Sequence, residues 1–309
     1  MLFKVIMGYE NNYANPNPDP TPLEVPRFIK FISSVECRNI LSSSICIPFQ
    51  ENTALYASTI NNVRCIVTFN QLPYAEKKYF NENVSITLDE AIDICSNTQK
   101  QKCNIWLNER KKRITASCAH NFYTYVYNKN PDWNKKISDH LNNTFQGCAN
   151  TVYGQRCKNK ARDCYERLTG NSVTQADLLV NPKIPWIGFS PDGLLLHLLG
   201  QKIIEIKCPV PGKEQPALEV VNSLSWILKD TNQNFYLKPT YKYYCQVQIG
   251  MFVANVRNCD LVIYSSYDDS AVIIDVPFDE QYIRDIIPNL QFVYFSYILP
   301  QLTLQKNVN

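Results

Sequence analysis

Between Trp186 and Pro211 the chain reads "WIGFSPDGLLLHLLGQKIIEIKCPVP", two apolar runs interrupted by Asp192, Glu205 and Lys207. Side chains alternate faces along a strand, so Glu205 and Lys207 of "IEIK" point one way while Ile204, Ile206 and Cys208 point into the core. A turn near Leu199 to Gln201 folds the segment into a hairpin, which brings Asp192 toward Glu205 across two adjacent strands. Two carboxylates a few Å apart repel unless a cation sits between them. All-oxygen ligands of this kind suit Mg2+, with Mn2+ as the alternative. Such an ion neutralises charge on a scissile phosphate while a neighbouring ammonium orients the water or stabilises the developing oxyanion, so the expected chemistry is phosphodiester hydrolysis. An isolated Glu-x-Lys is common on surface hairpins; the preceding "SPDG", the turn and the apolar strands on both sides mark a site.

The elements that must position these groups can be read from period and punctuation. "TLDEAIDICSNTQ" pairs Thr87 with Glu90 three residues on, a capping box that starts a helix near Leu88. Further helices are expected after "RITAS", over residues 131–145, and over 150–168 with a stop at Gly170. From Ser172 to Lys207 short apolar runs alternate with turn residues as a β-meander. A helix near residues 214–228, a longer one over "PTYKYYCQVQIGMFVANV", strands "LVIYSSY" and "AVIIDV", and a last helix from Asp279 complete an α/β sandwich around one mixed sheet. Residues 1–86 read as an N-terminal extension, with a proline- and asparagine-rich lead-in at 11–26 and a strand at 63–69; residues 87–309 form the second unit.

Composition narrows the class without naming it. The 309 residues hold 45% hydrophobic side chains, enough for a large core, and no window approaches the roughly 18 unbroken apolar residues of a membrane helix. An intracellular protein, of nucleus or cytoplasm, with no membrane partner is expected. A net charge of +3 conceals two basic runs, "ERKKR" at 109–113 and "RCKNKAR" at 156–162, which suit a nucleic-acid backbone. Twelve cysteines without a CxxC pair, alongside three histidines, disfavour zinc and read as reduced thiols.

These segments together resemble the PD-(D/E)xK nucleases, in the branch of the lambda-phage exonuclease and the YqaJ-type viral recombinases or alkaline exonucleases. "GFSPDGLLL…IIEIKCP" carries the resemblance. "WLNERKKRITAS", "GQRCKNKARDCYE" and "YYCQVQIGMFV" follow the same branch in order, over about residues 89–267. The resemblance implies a restriction-endonuclease-like core, a central mixed sheet with an antiparallel meander flanked by helices. It implies a Mg2+-dependent deoxyribonuclease, a 5′-to-3′ exonuclease on double-stranded DNA ends serving viral or mobile-element recombination or replication. The alternatives are a catalytically impaired DNA-end-binding protein, or an endonuclease or ribonuclease on the same fold.

Asp192 and Glu205, with the Ile206 carbonyl, are then the metal ligands, Lys207 the assisting amine, and Gln246 the group that bonds the attacking water or a phosphate. Arg110 and Ser117, helped by Lys111, Lys112 and Arg113, are expected at the 5′-terminal phosphate, and Tyr243 on the face of Gln246 beside the DNA. A second copy of the chain and a recombination protein are the candidate protein partners. One position departs from the pattern: Lys158 stands where the branch carries Glu. At about 4 Å and an effective dielectric near 20, an ammonium attracts one carboxylate by roughly 4 kcal/mol, in competition with a metal. Lys158, Gly154, Ala161 and Tyr165 fall on one stripe of their helix, where small residues would let it approach the sheet.

Overall fold

The computed structural model describes residues 72–98, 103–142, 149–197 and 200–308. Its α-helices are α1 (Tyr74–Asn83), α2 (Leu88–Asn97), α3 (Asn104–Lys111), α4 (Ala116–Tyr125), α5 (Trp133–Leu141), α6 (Ala149–Thr169), α7 (Ala217–Ser223), α8 (Lys242–Ala254), α9 (Glu280–Val293) and α10 (Leu299–Val308). The strands are β1 (Ile114–Thr115), β2 (Leu179–Val180), β3 (Ile187–Phe189), β4 (Gly193–His197), β5 (Gly200–Lys207), β6 (Ile227–Lys229), β7 (Phe235–Leu237), β8 (Asn258–Ser265) and β9 (Ser270–Pro277).

The capping box at α2 forms as its sequence dictates: Thr87 Oγ1 accepts from the Glu90 amide at 3.3 Å, and Glu90 Oε2 accepts from the Thr87 amide at 2.7 Å. Hydrogen bonds from Thr87 hold the Glu90 carboxyl below its ordinary range, the backbone bond contributing most. Helix α6 ends at Gly170, whose φ of 70° is left-handed and whose amide bonds the Glu166 carbonyl at 2.8 Å.

The described strands register as three sheets rather than one. A mixed four-stranded sheet has the order β4-β5-β8-β9, a small sheet the order β1-β3-β2, and β6 pairs with β7 alone. Within the larger sheet β5 runs antiparallel to β4 and parallel to β8. The meander breaks after β3, where Ser190, Pro191 and Asp192 intervene: β3 takes β1 as a parallel neighbour, and β4 takes up β5. His197 pairs with Gly200 and Leu196 with Gln201, so Gln201 already lies in the ladder.

The helix expected over 214–228 is shorter. Pro211 and Pro216 confine it to Ala217–Ser223, and Trp226–Lys229 leaves it to form the β6–β7 hairpin around a turn with Gln233 at φ 64°. Leu72, Phe80 and Val84, ahead of residue 87, are buried in the main core, so α1 packs with the elements that follow it. The proline-rich lead-in and the strand expected at 63–69 lie outside the described residues.

The core is continuous from α1 through α4, α8 and α9, with a second cluster of Cys157, Ala161, Cys164, Tyr165, Ile204, Ile206 and Val262 between α6 and the sheet. Helix α8 lies against β3 through Gly250, where an added Cβ would stand 2.7 Å from Phe189 Cζ. Gly154, by contrast, has open space around it, and it is Ala161, fully buried, that lets α6 approach. The eight cysteines in the described residues are free thiols, and no helix there is long and apolar enough to cross a membrane.

Candidate active site

The β4–β5 register places Gly193 opposite Ile204, so Asp192, one residue earlier, comes level with Glu205. The Asp192 amide bonds the Ile204 carbonyl at 3.1 Å, and its Oδ2 accepts from the Ile206 amide at 2.8 Å. The carboxylate is thereby fixed to the strand that carries Glu205 and Lys207. Both acids are buried, Asp192 at 5% and Glu205 at 3% exposure. Carboxylates buried this deeply require compensation.

Glu205 Oε1 receives two donors, the Lys207 ammonium at 2.8 Å and Gln246 Nε2 from α8 at 2.7 Å. Gln246 Oε1 accepts from the same ammonium at 3.1 Å, closing a three-membered ring of contacts. Lys207 also sits 4.1 Å over the Tyr243 ring, which Trp226 and Tyr241 brace at centroid distances of 4.8 and 5.2 Å. Gln246 thus contacts both Lys207 and Glu205, and Tyr243 contacts Lys207. The other carboxylate oxygen, Glu205 Oε2, is buried and has no hydrogen-bond partner. Burial pushes the Glu205 carboxyl up, and Asp192 adds to that against the opposing pull of Lys207 and Lys158.

Two hard oxygen-bearing acids, one with an orphaned buried oxygen, form a set that calls for a cation. The cation seated there is the chain's own: Lys158 Nζ pairs with Asp192 Oδ1. Burial opposes that ammonium, but Asp192 and then Glu205 outweigh it and hold its pKa above the ordinary lysine range. Among the described residues no group of three or more His, Cys, Asp or Glu is arranged to hold a metal. Glu166, eight residues along α6, accepts from the Val173 amide at 2.6 Å and takes no part.

The second expected cluster sits beside the first. Arg110 donates to Ser117 Oγ at 3.3 Å and to Thr115 Oγ1 at 3.4 Å, and its guanidinium stacks 4.2 Å over Trp106. Ser117 is exposed in the first turn of α4, where amide groups and the helix dipole favour an anion. Trp106 Nε1 donates to Ser190 Oγ at 3.3 Å, two residues before Asp192, and β1 pairs with β3 immediately ahead of it. Lys111 is exposed.

Arg113 does not share this surface. It is fully buried, pairs with Glu109 at 2.5 Å, and donates to the carbonyls of Pro185 at 2.8 Å and Val84 at 3.3 Å. It is a structural cation, not a contact for DNA, because the turn after α3 directs it inward. Lys112 is likewise tied to Glu109 at 2.6 Å.

Three residues at the site were not singled out from the sequence. Arg162, one turn beyond Lys158 on α6, donates through Nε to the Asp192 carbonyl at 3.2 Å. Trp106 and Ser190 link the two clusters. The spacing of four from Lys158 to Arg162, and from Trp106 to Arg110, was the signal to be found, since residues so spaced share a helix face.

With this geometry in place, comparison with known proteins shows what the chain is similar to. The sequence profile of the YqaJ-like viral recombinase domain matches residues 105–257. An alkaline exonuclease from Laribacter hongkongensis is similar at 23% identity, covering 67% of this chain and 98% of that one, with a TM-score of 0.50. A phage-related exonuclease from Haemophilus somnus 129PT (14% identity, 62% and 96% coverage, TM-score 0.45) is also similar. So is the shutoff and exonuclease protein of Kaposi's sarcoma-associated herpesvirus (10%, 76% and 83%, TM-score 0.43). No curated protein matches the chain by sequence. The first of these structures shows the fold to be that of the alkaline exonucleases, with a restriction-endonuclease-like core.

Proposed function

We propose that this chain, whose residues 105–257 match the YqaJ-like viral recombinase domain, is a divalent-metal-dependent deoxyribonuclease. Its substrate is the end of linear duplex DNA, degraded 5′ to 3′ in the recombination or replication of a virus or mobile element. The observation that carries this reading is the convergence of Asp192, just before β4, with Glu205 and Lys207 of β5 and Gln246 of α8 in one buried, cation-demanding cluster. A Mg2+ or Mn2+ ion held by Asp192, Glu205 and the Ile206 carbonyl would supply Lewis acidity that offsets charge on the scissile phosphate.

The chain's own groups do the rest. Lys207, held by Glu205, Gln246 and the face of Tyr243, is a fixed ammonium that would stabilise negative charge developing on a phosphate oxygen. Gln246 keeps Lys207 and Glu205 at a constant separation. Arg110 and Ser117, backed by Trp106, offer a guanidinium, a hydroxyl and a helix N-terminus to a terminal phosphate, and Lys111 adds a salt-sensitive contact. The hydrogen bond from Trp106 to Ser190 sets the distance between that anchor and the cutting pocket. An anchor for an end beside a hydrolytic pocket favours exonuclease over endonuclease action.

One observation favours a second reading, binding of DNA ends without cleavage: the Lys158–Asp192 pair neutralises the acid that a metal requires. Incubation with 5′-phosphorylated, end-labelled linear duplex, its circular counterpart and RNA separates the readings. The proposal requires Mg2+-dependent loss of label from the linear duplex alone; retention of bound, intact duplex with Mg2+ present supports the second reading.

A further inference from the structure

Lys158 reaches Asp192 from α6, where Cys157 and Ala161 bury the helix on either side of it. The acid is nearly inaccessible, whereas the lysine side chain is 33% exposed, so the two ends of this ion pair differ in freedom. The stem is flexible and has an open side, and the ammonium can swing to solvent without moving the helix. With Lys158 on Asp192 and Lys207 on Glu205, two positive charges balance two negative ones, and a divalent ion gains little by entering. An incoming phosphodiester changes that balance. It is an anionic partner from outside the cluster, and Arg156 and Lys160 on the same helix are both exposed to meet it.

We propose that Lys158 is an ammonium gate: it occupies Asp192 in the free protein and passes to a phosphate of bound nucleic acid, which frees Asp192 Oδ1 for the metal. Metal binding and DNA binding then strengthen each other by the same factor, because coupling between two ligands is reciprocal. The gate confines a hydrolytic centre to its substrate complex. It rests on the metal-dependent reading given above.

The test measures Mn2+ binding from the electron paramagnetic resonance signal of the free ion, with the full chain alone and with a short phosphorothioate-protected duplex, the duplex's own Mn2+ uptake being subtracted. Wild type alone should bind weakly and the duplex should tighten binding by about 10-fold or more, within the usual span of coupling between sites. Lys158→Gln should bind Mn2+ that tightly without duplex, and duplex should add little. Lys158→Arg, which keeps the charge, should retain the dependence on duplex. Because Lys158→Gln leaves Asp192 without its partner, its melting temperature should fall, and Mn2+ should raise it further than it raises that of wild type. Equal Mn2+ affinity in wild type and Lys158→Gln without duplex overturns the gate and leaves the metal-dependent nuclease standing. Absence of Mn2+ binding in every form, with and without duplex, removes that nuclease reading and the gate with it.

Discussion

The basic runs at 109–113 and 156–162 are alike in the sequence and unlike in the fold. In the first, Arg113 and Lys112 turn toward Glu109 and the protein interior, leaving Arg110 and Lys111 for a ligand. In the second, Lys158 and Arg162 turn toward the Asp192 side chain and carbonyl, while Arg156 and Lys160 face solvent. Charge density therefore does not state what a cation does. Helical phase and the nearest acid decide whether it holds the fold, tunes the site or meets DNA.

Mutation can break that contrast at its strongest point. Arg113→Met removes one partner of a buried ion pair and leaves the Pro185 and Val84 carbonyls without their donor, a change that costs about 3–5 kcal/mol. The expected fall in melting temperature is about 10 °C. A melting temperature within about 2 °C of wild type, together with weakened DNA binding, would reverse the assignment.

The scaffold shared by both runs is the next target. Gly250→Ala forces a methyl against the Phe189 ring, on the strand that leads to Ser190 and Asp192 and one turn from Gln246. Overpacking of this kind costs about 1–3 kcal/mol. Cleavage should slow as well, because Gln246 shifts relative to Glu205; an unchanged turnover rate would show that α8 does not set the site.

The outward-facing cations should behave oppositely to Arg113. Arg156→Gln and Lys160→Gln should leave stability within about 0.5 kcal/mol. If each cation neutralises one phosphate, each substitution should lower the salt-dependence slope of DNA affinity by about 1, read by fluorescence anisotropy across a salt series. An unaltered slope would remove that helix from the DNA path.

The smallest effect concerns His140 on α5, whose ring meets Phe122 edge-on at 4.9 Å. Burial first, then Arg110 and Lys136, lower its pKa from 6.5 to about 4. The unfolded chain takes up this proton near pH 6.5 while the folded protein resists it down to about 4. The neutral imidazole thus contributes stability above pH 6.5 that is lost as pH falls toward 4. The decline in melting temperature over that window should be shallower in His140→Gln than in wild type.

Much of the site was legible because its signals are local. Alternation along "IEIK" fixes Glu205 and Lys207 on one face, and the antiparallel pairing of β4 with β5 brings Asp192 to them. The Thr87 capping box and the Gly170 stop are likewise properties of a few neighbouring residues. What escaped depends on tertiary packing. Whether Arg113 points in or out is decided by Pro185 and Val84, distant in sequence. The division into separate sheets depends on which strand β3 chooses as its neighbour. Lys158 is intermediate: its departure from the family pattern was visible in the sequence, but its seat on Asp192 required the approach of α6 to β4.

The most direct test compares Mg2+-dependent digestion of end-labelled linear duplex by wild type and by Glu205→Ala, with circular dichroism to establish that both are folded. Glu205 is the acid that holds Lys207 and offers the unpartnered oxygen, so the variant should lose cleavage by about 100-fold or more while still binding the duplex. Full digestion by a folded Glu205→Ala protein would contradict the account.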